Sequence, residues 1–242
     1  RGISVAGLNG EHGKMAKHQH ELSHLSAGFA LIADITLAIL GGGLKRKERI
    51  SARLGDALSQ LYLASATLKQ FHNDGEPAAD LPLVNWSLAR AKFEAQNALL
   101  AVLENYPSKA AAMLLKVIVF PLGRRYKAPN DVLDHTVADI LLKPSQTRDR
   151  LTENVFISDE HGQTGKLERA LLLTEETQAI ERKIKQALGR KAMLLAQTEQ
   201  LAADSLEQGV INEKEAKLLV EAAQARNEVI QVDAFASLAR TA

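Results

Sequence analysis

The residues from Leu44 to Lys69 constrain the fold of this chain more than any other segment. Apolar or small side chains recur there at spacings of three and four residues, the pattern of an amphipathic helix packed on one side. That stripe comprises Leu54, Ala57, Leu58, Leu61, Tyr62, Ser65 and Leu68. Gly55 lies inside the helical pattern, where glycine costs about 1 kcal/mol relative to alanine. We therefore expect Gly55 to allow a close approach between two helices.

The remainder of the 242-residue chain has the composition of an all-α protein. Strong helix formers dominate, and no segment alternates as a strand would. We predict a multi-helix bundle with short turns, no β-sheet and at least seven helices, with Leu44 to Phe71 at its centre. The absence of cysteine excludes disulfides and thiolate metal sites. A net charge of +1 without a concentrated basic stripe argues against a nucleic-acid partner.

Glycine, proline and capping residues predict the helix ends. Residues 1–13 indicate a loop or frayed tail, and a start at Arg1 rather than Met indicates a fragment of a longer protein. Gly41-Gly42-Gly43 should end the first helix. The predicted helices cover residues 14–40, 44–71, 82–105, 108–120, 130–142, 145–152, 166–188, 192–207 and 213–230. Ser108, Asn130, Ser145 and Asn212 are the predicted caps.

One catalytic pattern is present literally. His20-Glu21-Leu22-Ser23-His24 is H-E-x-x-H on a predicted helix, and in zinc peptidases the two histidines bind the metal while the glutamate activates water. Its competing interpretation is a chance match on a polar helix face. The extended form of the pattern fails, because Ala27 and Ala30 stand where a glycine and a third histidine belong.

A basic and apolar segment is the stronger candidate for binding. Asn105 to Asn130 has no acidic residue, and the run Ala110 to Leu122 is apolar apart from one lysine. At 13 residues that run is too short to span a bilayer, which needs about 20. It has the features of an interfacial element, although a buried core helix is the alternative. The candidate membrane or anion contacts are Lys109, Lys116, Phe120, Arg124, Arg125, Tyr126 and Lys127.

Two carboxylates fall within apolar helical stretches. Asp34 and Asp56 should therefore be buried or half-buried, and we expect structural ion pairs with Lys47, Arg49 or Arg53 across the helix pair. The basic run Lys45, Arg46, Lys47 and Arg49 opposes the dipole of the helix that it begins. We expect an acidic group to face that run, with an intramolecular carboxylate favoured over a phosphate, a coenzyme A arm or an anionic lipid.

Several segments resemble the C-terminal region of the bacterial long-chain, FadE-type acyl-CoA dehydrogenases of fatty-acid degradation. The similar segments are, in the family's order, Leu44 to Lys69, Asp80 to Trp86 (DLPLVNW), Val117 to Asp131 (VIVFPLGRRYKAPND), Pro144 to Thr152 (PSQTRDRLT) and Leu206 to Phe235. The resemblance implies that residues 14–72 form a helical hairpin continuing the dehydrogenase helical domain. Residues 73–242 would then form a C-terminal helical domain.

The resemblance also implies the chemistry of the parent enzyme. Such dehydrogenases bind FAD, catalyse the first, α,β-dehydrogenation step of β-oxidation and pass electrons to an electron-transfer flavoprotein. Their catalytic base and most flavin contacts lie upstream of the matched region, so no catalytic, cofactor-binding or metal residue is assigned here. We expect the isolated fragment to be inactive and to serve dimer stability or peripheral membrane docking.

Three hypotheses therefore remain open: a dehydrogenase appendage, a zinc metallopeptidase, or a free-standing helical adaptor. Under the first hypothesis the partners are the rest of the dehydrogenase chain and a second copy. The expected location is cytoplasmic, and peripheral on the inner face of the bacterial cytoplasmic membrane if the basic segment binds lipid.

Overall fold

The computed structural model describes residues 11–195 and 197–231, with side chains described for 15–189 and 197–231. Within these ranges the chain has nine α-helices and no β-strand, so the prediction of an all-α multi-helix fold is confirmed. The helices are α1 (Glu11–Leu40), α2 (Glu48–Asn73), α3 (Leu81–Glu104), α4 (Lys109–Val119), α5 (Asp131–Leu142), α6 (Gln146–Thr152), α7 (Gln163–Leu195), α8 (Thr198–Glu207) and α9 (Glu213–Ile230). Short 3₁₀ helices, Gly41–Arg46 and Ala78–Asp80, connect α1 to α2 and α2 to α3.

Four helices begin where a capping residue predicts that they should. Ser108, Asn130 and Ser145 each accept a hydrogen bond from the backbone N–H three residues later, which satisfies one free donor of the first turn. Asn212 and Glu215 form the predicted capping box in both directions.

Other helix ends differ from the prediction. α1 begins at Glu11, so residues 11–13 are helical rather than a frayed tail, and residues 1–10 lie outside the described part of the chain. Gly41 adopts a left-handed φ of +48°, and the chain continues as a 3₁₀ helix, so α2 begins at Glu48 instead of Leu44. α7 is interrupted at Gly189, where φ is +78°.

The chain divides into two compact units, residues 1–139 and 140–242. In the first unit α2 packs most extensively on α3, and α1 packs on α2, α3 and α4. Their apolar stripes share one core. Its largest fully buried residues include Leu25, Ile32, Leu88, Leu99 and Tyr106.

The second unit has a core of its own, formed by α7, α8 and α9. Ile180, Ile184, Leu201 and Leu219 are buried there. Arg148 on α6 donates two hydrogen bonds to the Glu168 carboxylate on α7, at 2.9 and 2.5 Å, which joins the short helix to the unit. This hydrogen-bonded pairing lowers the pKa of Glu168 below its usual range.

The compact units do not follow the division at residues 72 and 73 that was predicted. α3 and α4 bury their apolar faces in the same core as α1 and α2, so the first unit extends to Asp139. That residues 14–72 continue a neighbouring helical domain of a longer protein stays a prediction.

The prediction that Gly55 mediates a close helix contact is wrong. Gly55 is exposed, and a Cβ placed on it would meet no atom within 4 Å among the described residues. The close approach occurs instead at Gly28 on α1, where a Cβ would lie 2.5 Å from Cγ1 of Val119 on α4. Gly28 therefore allows α1 and α4 to pack together.

Candidate functional site

Helix α4 is apolar on both of its faces. Ala112, Leu115 and Val119 are buried against the first unit's core. The opposite face exposes Met113, Leu114, Val117 and Ile118, and the exposed Leu122 follows the helix. Val117 retains 64% of its accessible surface and Leu122 retains 79%. A continuous apolar patch of this kind, hereafter the α4 surface, is typical of a site that contacts another molecule.

Exposed basic side chains lie on α4 and in the loop that follows it. Lys109, Lys116 and Lys127 are exposed and have no ion pair with any residue that the structure describes. Arg124 lies 3.5 Å from Glu104, but both side chains are more than half exposed, so their mutual attraction is at most about 1 kcal/mol. The α4 surface is therefore apolar with a positively charged margin.

Two of the other three predicted contact residues are buried wholly or in part, and the third approaches a buried carboxylate. Phe120 is buried in the core and Tyr126 is half-buried, so neither is an exposed anchor at the edge of the helix. Arg125 is exposed in part but approaches the buried Glu21, with 3.7 Å between its Nη2 and the carboxylate. The sequence pattern could not separate these residues, because the loop after α4 turns one side toward α1 and α3.

A buried ion pair between α1 and α3 lies beside the loop that follows α4. Lys92 on α3 donates to the Glu21 carboxylate on α1 at 2.5 Å, and both side chains are at least nine-tenths buried. Because an uncompensated charge is costly in the interior, each group depends on the other. The Lys92 ammonium also lies 5.7 Å from the centre of the Tyr126 ring, within the range of a cation–π contact.

His18 completes the cluster as a neutral ring. Its Nδ1 accepts a hydrogen bond from Lys92 at 2.7 Å, because an ammonium can only donate, and its Nε2–H therefore donates to Asn85 at 3.1 Å. Burial, reinforced by the charge of Lys92, lowers the pKa of His18, and the opposing attraction of Glu21 is smaller.

Gln96 holds the backbone of the same loop. Its side-chain oxygen accepts from the N–H groups of Arg125 and Tyr126 at 2.8 and 3.0 Å, and its amide donates to the Tyr126 carbonyl at 3.0 Å. Burial, followed by the charge of Glu21, raises the pKa of the Tyr126 hydroxyl. Together these contacts position the loop that carries Arg124 and Lys127.

The sequence analysis missed this cluster, although a signal for it was present. Lys92 and Gln96 stand four residues apart on the apolar stripe of α3, between Leu88 and Leu99. Polar residues on a buried stripe need partners, so their position alone indicates an internal polar network.

The H-E-x-x-H residues do not converge on one point. His20 and His24 are exposed on α1, whereas Glu21 is buried and bound to Lys92. Glu21 faces α3, where it pairs with Lys92, whereas His20 and His24, one turn apart, lie on the exposed side of α1. Among the side chains that the structure describes, no three histidine, aspartate or glutamate groups are arranged to hold a metal ion.

The predicted ion pairs of Asp34 and Asp56 are also not found. Both residues are exposed, so the expectation of buried carboxylates is wrong. Neither forms an ion pair within the described ranges, and the same holds for their expected partners Lys47, Arg49 and Arg53. Both aspartates lie on the exposed sides of their helices. Apolar neighbours in the sequence therefore do not make them buried.

The described residues form an all-helical domain whose α4 surface is apolar and lined by bases. The sequence model for the family "acyl-CoA dehydrogenase, C-terminal, bacterial type" matches residues 3–235. The chain belongs to this family. No solved structure matches the chain.

Proposed function

We propose that this C-terminal domain docks its parent acyl-CoA dehydrogenase on an anionic membrane surface and takes no part in the chemical step. The observation that carries this proposal is the α4 surface, with its exposed apolar residues and its margin of Lys109, Lys116 and Lys127. α4 has 11 residues and cannot span a bilayer, so it would lie in the interface with its apolar face turned to the acyl chains.

The magnitudes support reversible binding. Complete burial of one large aliphatic side chain contributes about 1.5–3 kcal/mol, and the side chains of the α4 surface would be buried only in part. Each base close to an anionic surface adds about 1 kcal/mol, and salt reduces this contribution. We expect the two contributions together to hold the protein on a membrane, because stable anchoring takes more than one signal.

Co-sedimentation with lipid vesicles tests this proposal. We expect the wild-type chain to sediment with vesicles that contain phosphatidylglycerol, less at high salt, and weakly with neutral phosphatidylcholine vesicles. Val117→Asp should abolish binding, because it places a charge in the apolar face. Val132→Asp is the matched control, since it makes the same substitution at an exposed valine on α5. Wild-type protein that stays in the supernatant, or equal losses in both variants, would refute membrane docking by α4.

A second candidate role is dimer stability, which a different surface favours. Leu58, Tyr62 and Leu63 are exposed on α2 and line a shallow apolar pocket of about 500 Å³ with Ser59. Tyr62 retains 72% of its surface, and exposed aromatic residues are enriched at protein interfaces. Light scattering after size-exclusion chromatography should show a dimer that Tyr62→Glu dissociates. A wild-type monomer would contradict a role in self-association for this isolated chain.

The family match supports a parent acyl-CoA dehydrogenase as the site of the chemistry. We infer that the parent binds FAD, performs the α,β-dehydrogenation of acyl-CoA thioesters and passes electrons to an electron-transfer flavoprotein. FAD supplies the redox chemistry when bound. We assign the cofactor site to the rest of the parent enzyme, because the catalytic base and most flavin contacts of such dehydrogenases lie upstream of the matched region. Protein that is yellow after purification would contradict this assignment.

The exposed apolar residues of α1 support a contact with the rest of the parent chain. Leu37 and Ile39 are largely exposed. The stretch Met15–Arg46 is long and apolar enough to cross a membrane. Only 17% of its most apolar window is buried, so most of that window is free to contact another molecule. We infer that this face of α1 packs against the dehydrogenase, and that the parent is cytoplasmic and peripheral on the inner face of the membrane. Fractionation of cells into membrane and soluble protein tests this location.

The zinc-peptidase and free-standing adaptor hypotheses have less support. Glu21 is committed to Lys92, and the family match covers almost the whole chain. Stoichiometric zinc in the purified protein would restore the first alternative. A parent gene that encodes only this region would restore the second.

A further inference from the structure

A second basic feature lies in the first unit, where α2 begins. A cavity of about 430 Å³ is lined there by Arg46, Lys47, Arg49 and Arg53, together with Glu48 and Asn105. Its size falls within the usual range of small-molecule sites, which is about 300–1,000 Å³. The cavity belongs to residues of the 3₁₀ helix, the first turns of α2 and the connection from α3 to α4.

The charges in this cavity are not balanced by the part of the chain that the structure describes. None of Arg46, Lys47, Arg49 and Arg53 forms an ion pair there, and Glu48 is the one carboxylate in the lining. The intramolecular carboxylate expected to face Lys45–Arg49 is therefore not found. Like charges that line one cavity repel one another, and cations at a helix N-terminus also oppose the helix dipole. An anion in the cavity would relieve both effects.

We propose that this basic cavity binds a phosphate or diphosphate group. Three of its four cations are arginines, whose planar guanidinium groups donate two parallel hydrogen bonds to phosphate oxygens. Asn105 also lines the cavity, and its side-chain amide donates to the Ala101 carbonyl at 2.8 Å. The Glu48 carboxylate repels anions and should therefore weaken the binding of an ion with one negative charge. The multiply charged diphosphate should bind more tightly, because the surrounding cations attract it more strongly. The inference does not depend on membrane docking by the α4 surface.

Isothermal titration of the 242-residue chain with inorganic pyrophosphate tests the proposal. We expect binding at one site that weakens as salt rises, with chloride far weaker. Arg49→Glu should weaken binding at least about tenfold, the equivalent of one charge-assisted contact. Lys69→Glu is the matched control, because it makes the same charge change at the exposed opposite end of α2 and should leave the affinity unchanged. Arg53→Gln, a milder variant, should give an intermediate loss.

Two further arms identify the source of the phosphate. If phosphatidic acid vesicles compete with pyrophosphate for the Val117→Asp variant, in which the α4 surface no longer binds lipid, and Arg49→Glu removes this competition, the group is a lipid headgroup. If pyrophosphate binds and the vesicles do not compete, the group belongs to a soluble ligand. No heat of binding with wild-type protein, or an equal loss in Arg49→Glu and Lys69→Glu, would overturn the proposal. Either failure leaves the vesicle test of the α4 surface unaffected, because that test depends on Val117.

Discussion

Two glycines show that the role of a residue depends on what lies opposite it. Gly28 and Gly55 both stand in the middle of long helices, and sequence alone singled out Gly55. The structure places Val119 against Gly28 and leaves Gly55 facing outward. Helix periodicity identifies the buried stripe of one helix, but it cannot say which neighbouring helix comes closest.

Alanine at the two positions should therefore have opposite effects. Gly55→Ala should stabilise the protein by up to about 1 kcal/mol, because alanine has the higher helix propensity and the new methyl group meets nothing. Gly28→Ala should destabilise it by about 1–3 kcal/mol, because the methyl group would overlap Val119. Urea unfolding measures both changes. Adding Val119→Ala to Gly28→Ala should relieve the overlap, and a destabilised Gly55→Ala protein would show that this face is covered.

The neutral state of His18 predicts a pH-dependent stability. Its folded-state pKa lies below the ordinary value of 6.5, so the unfolded chain takes up the proton first as pH falls. The contribution of the neutral His18 ring to the free energy of unfolding is complete above about pH 6.5. It is lost as pH falls from there toward the folded-state pKa. Lys92, Glu21 and Lys17 are the charged groups whose fields act on the ring.

Replacement of His18 isolates this effect. His18→Gln should flatten the fall in melting temperature between about pH 7.5 and 5.5, whereas His20→Gln, an exposed neighbour on the same helix, should not. Thermal melts across that pH range are the measurement. Equal slopes in wild type and His18→Gln would show that the ring contributes nothing to the pH dependence.

At the scale of elements, α3 organises the first unit through two polar residues on its buried face. Lys92 neutralises Glu21 of α1, and Gln96 holds the backbone at Arg125 and Tyr126. The loop after α4 is therefore attached to α3 by polar contacts, while α4 itself is attached by apolar ones. Removal of the two kinds of contact should have different consequences.

Substitutions in the buried ion pair should be strongly non-additive. Lys92→Met leaves the Glu21 charge buried without its main partner and should cost about 3–5 kcal/mol. Glu21→Leu combined with Lys92→Met should cost much less, because no buried charge remains. A double-mutant cycle by urea unfolding measures the coupling between them. Equal costs for the single and double variants would indicate that Arg125 compensates for the loss of Lys92.

The helices could be predicted from the sequence, whereas the partners within the polar cluster could not, although Lys92 and Gln96 on the apolar stripe of α3 indicate that such a cluster exists. Capping groups act within three residues, so Ser108 and Asn212 mark helix starts without knowledge of the fold. The partners of Lys92 are separated from it by more than seventy positions in the chain. The same distinction applies to α4, whose apolar run was evident in the sequence, while the burial of Phe120 and the exposure of Val117 follow from its contacts.

At the scale of the whole molecule, each compact unit has its own apolar core. In the second unit, Ile184 and Leu219 are fully or almost fully buried between α7 and α9. Arg148 and Glu168 add a two-point contact between α6 and α7. These interactions all lie within residues 140–242, so this unit contains the contacts that a folded domain requires.

A fragment of residues 144–242, which begins after α5 ends at Leu142, should therefore fold alone. We expect a helical circular dichroism spectrum and a cooperative thermal transition, because the buried apolar side chains of α7, α8 and α9 contact one another. Leu219→Ala should lower its stability by about 2–5 kcal/mol through the cavity that it leaves, while Leu167→Ala, at an exposed position of α7, should change it little. A broad, non-cooperative melt of the fragment would show that the second unit depends on residues outside it for its fold.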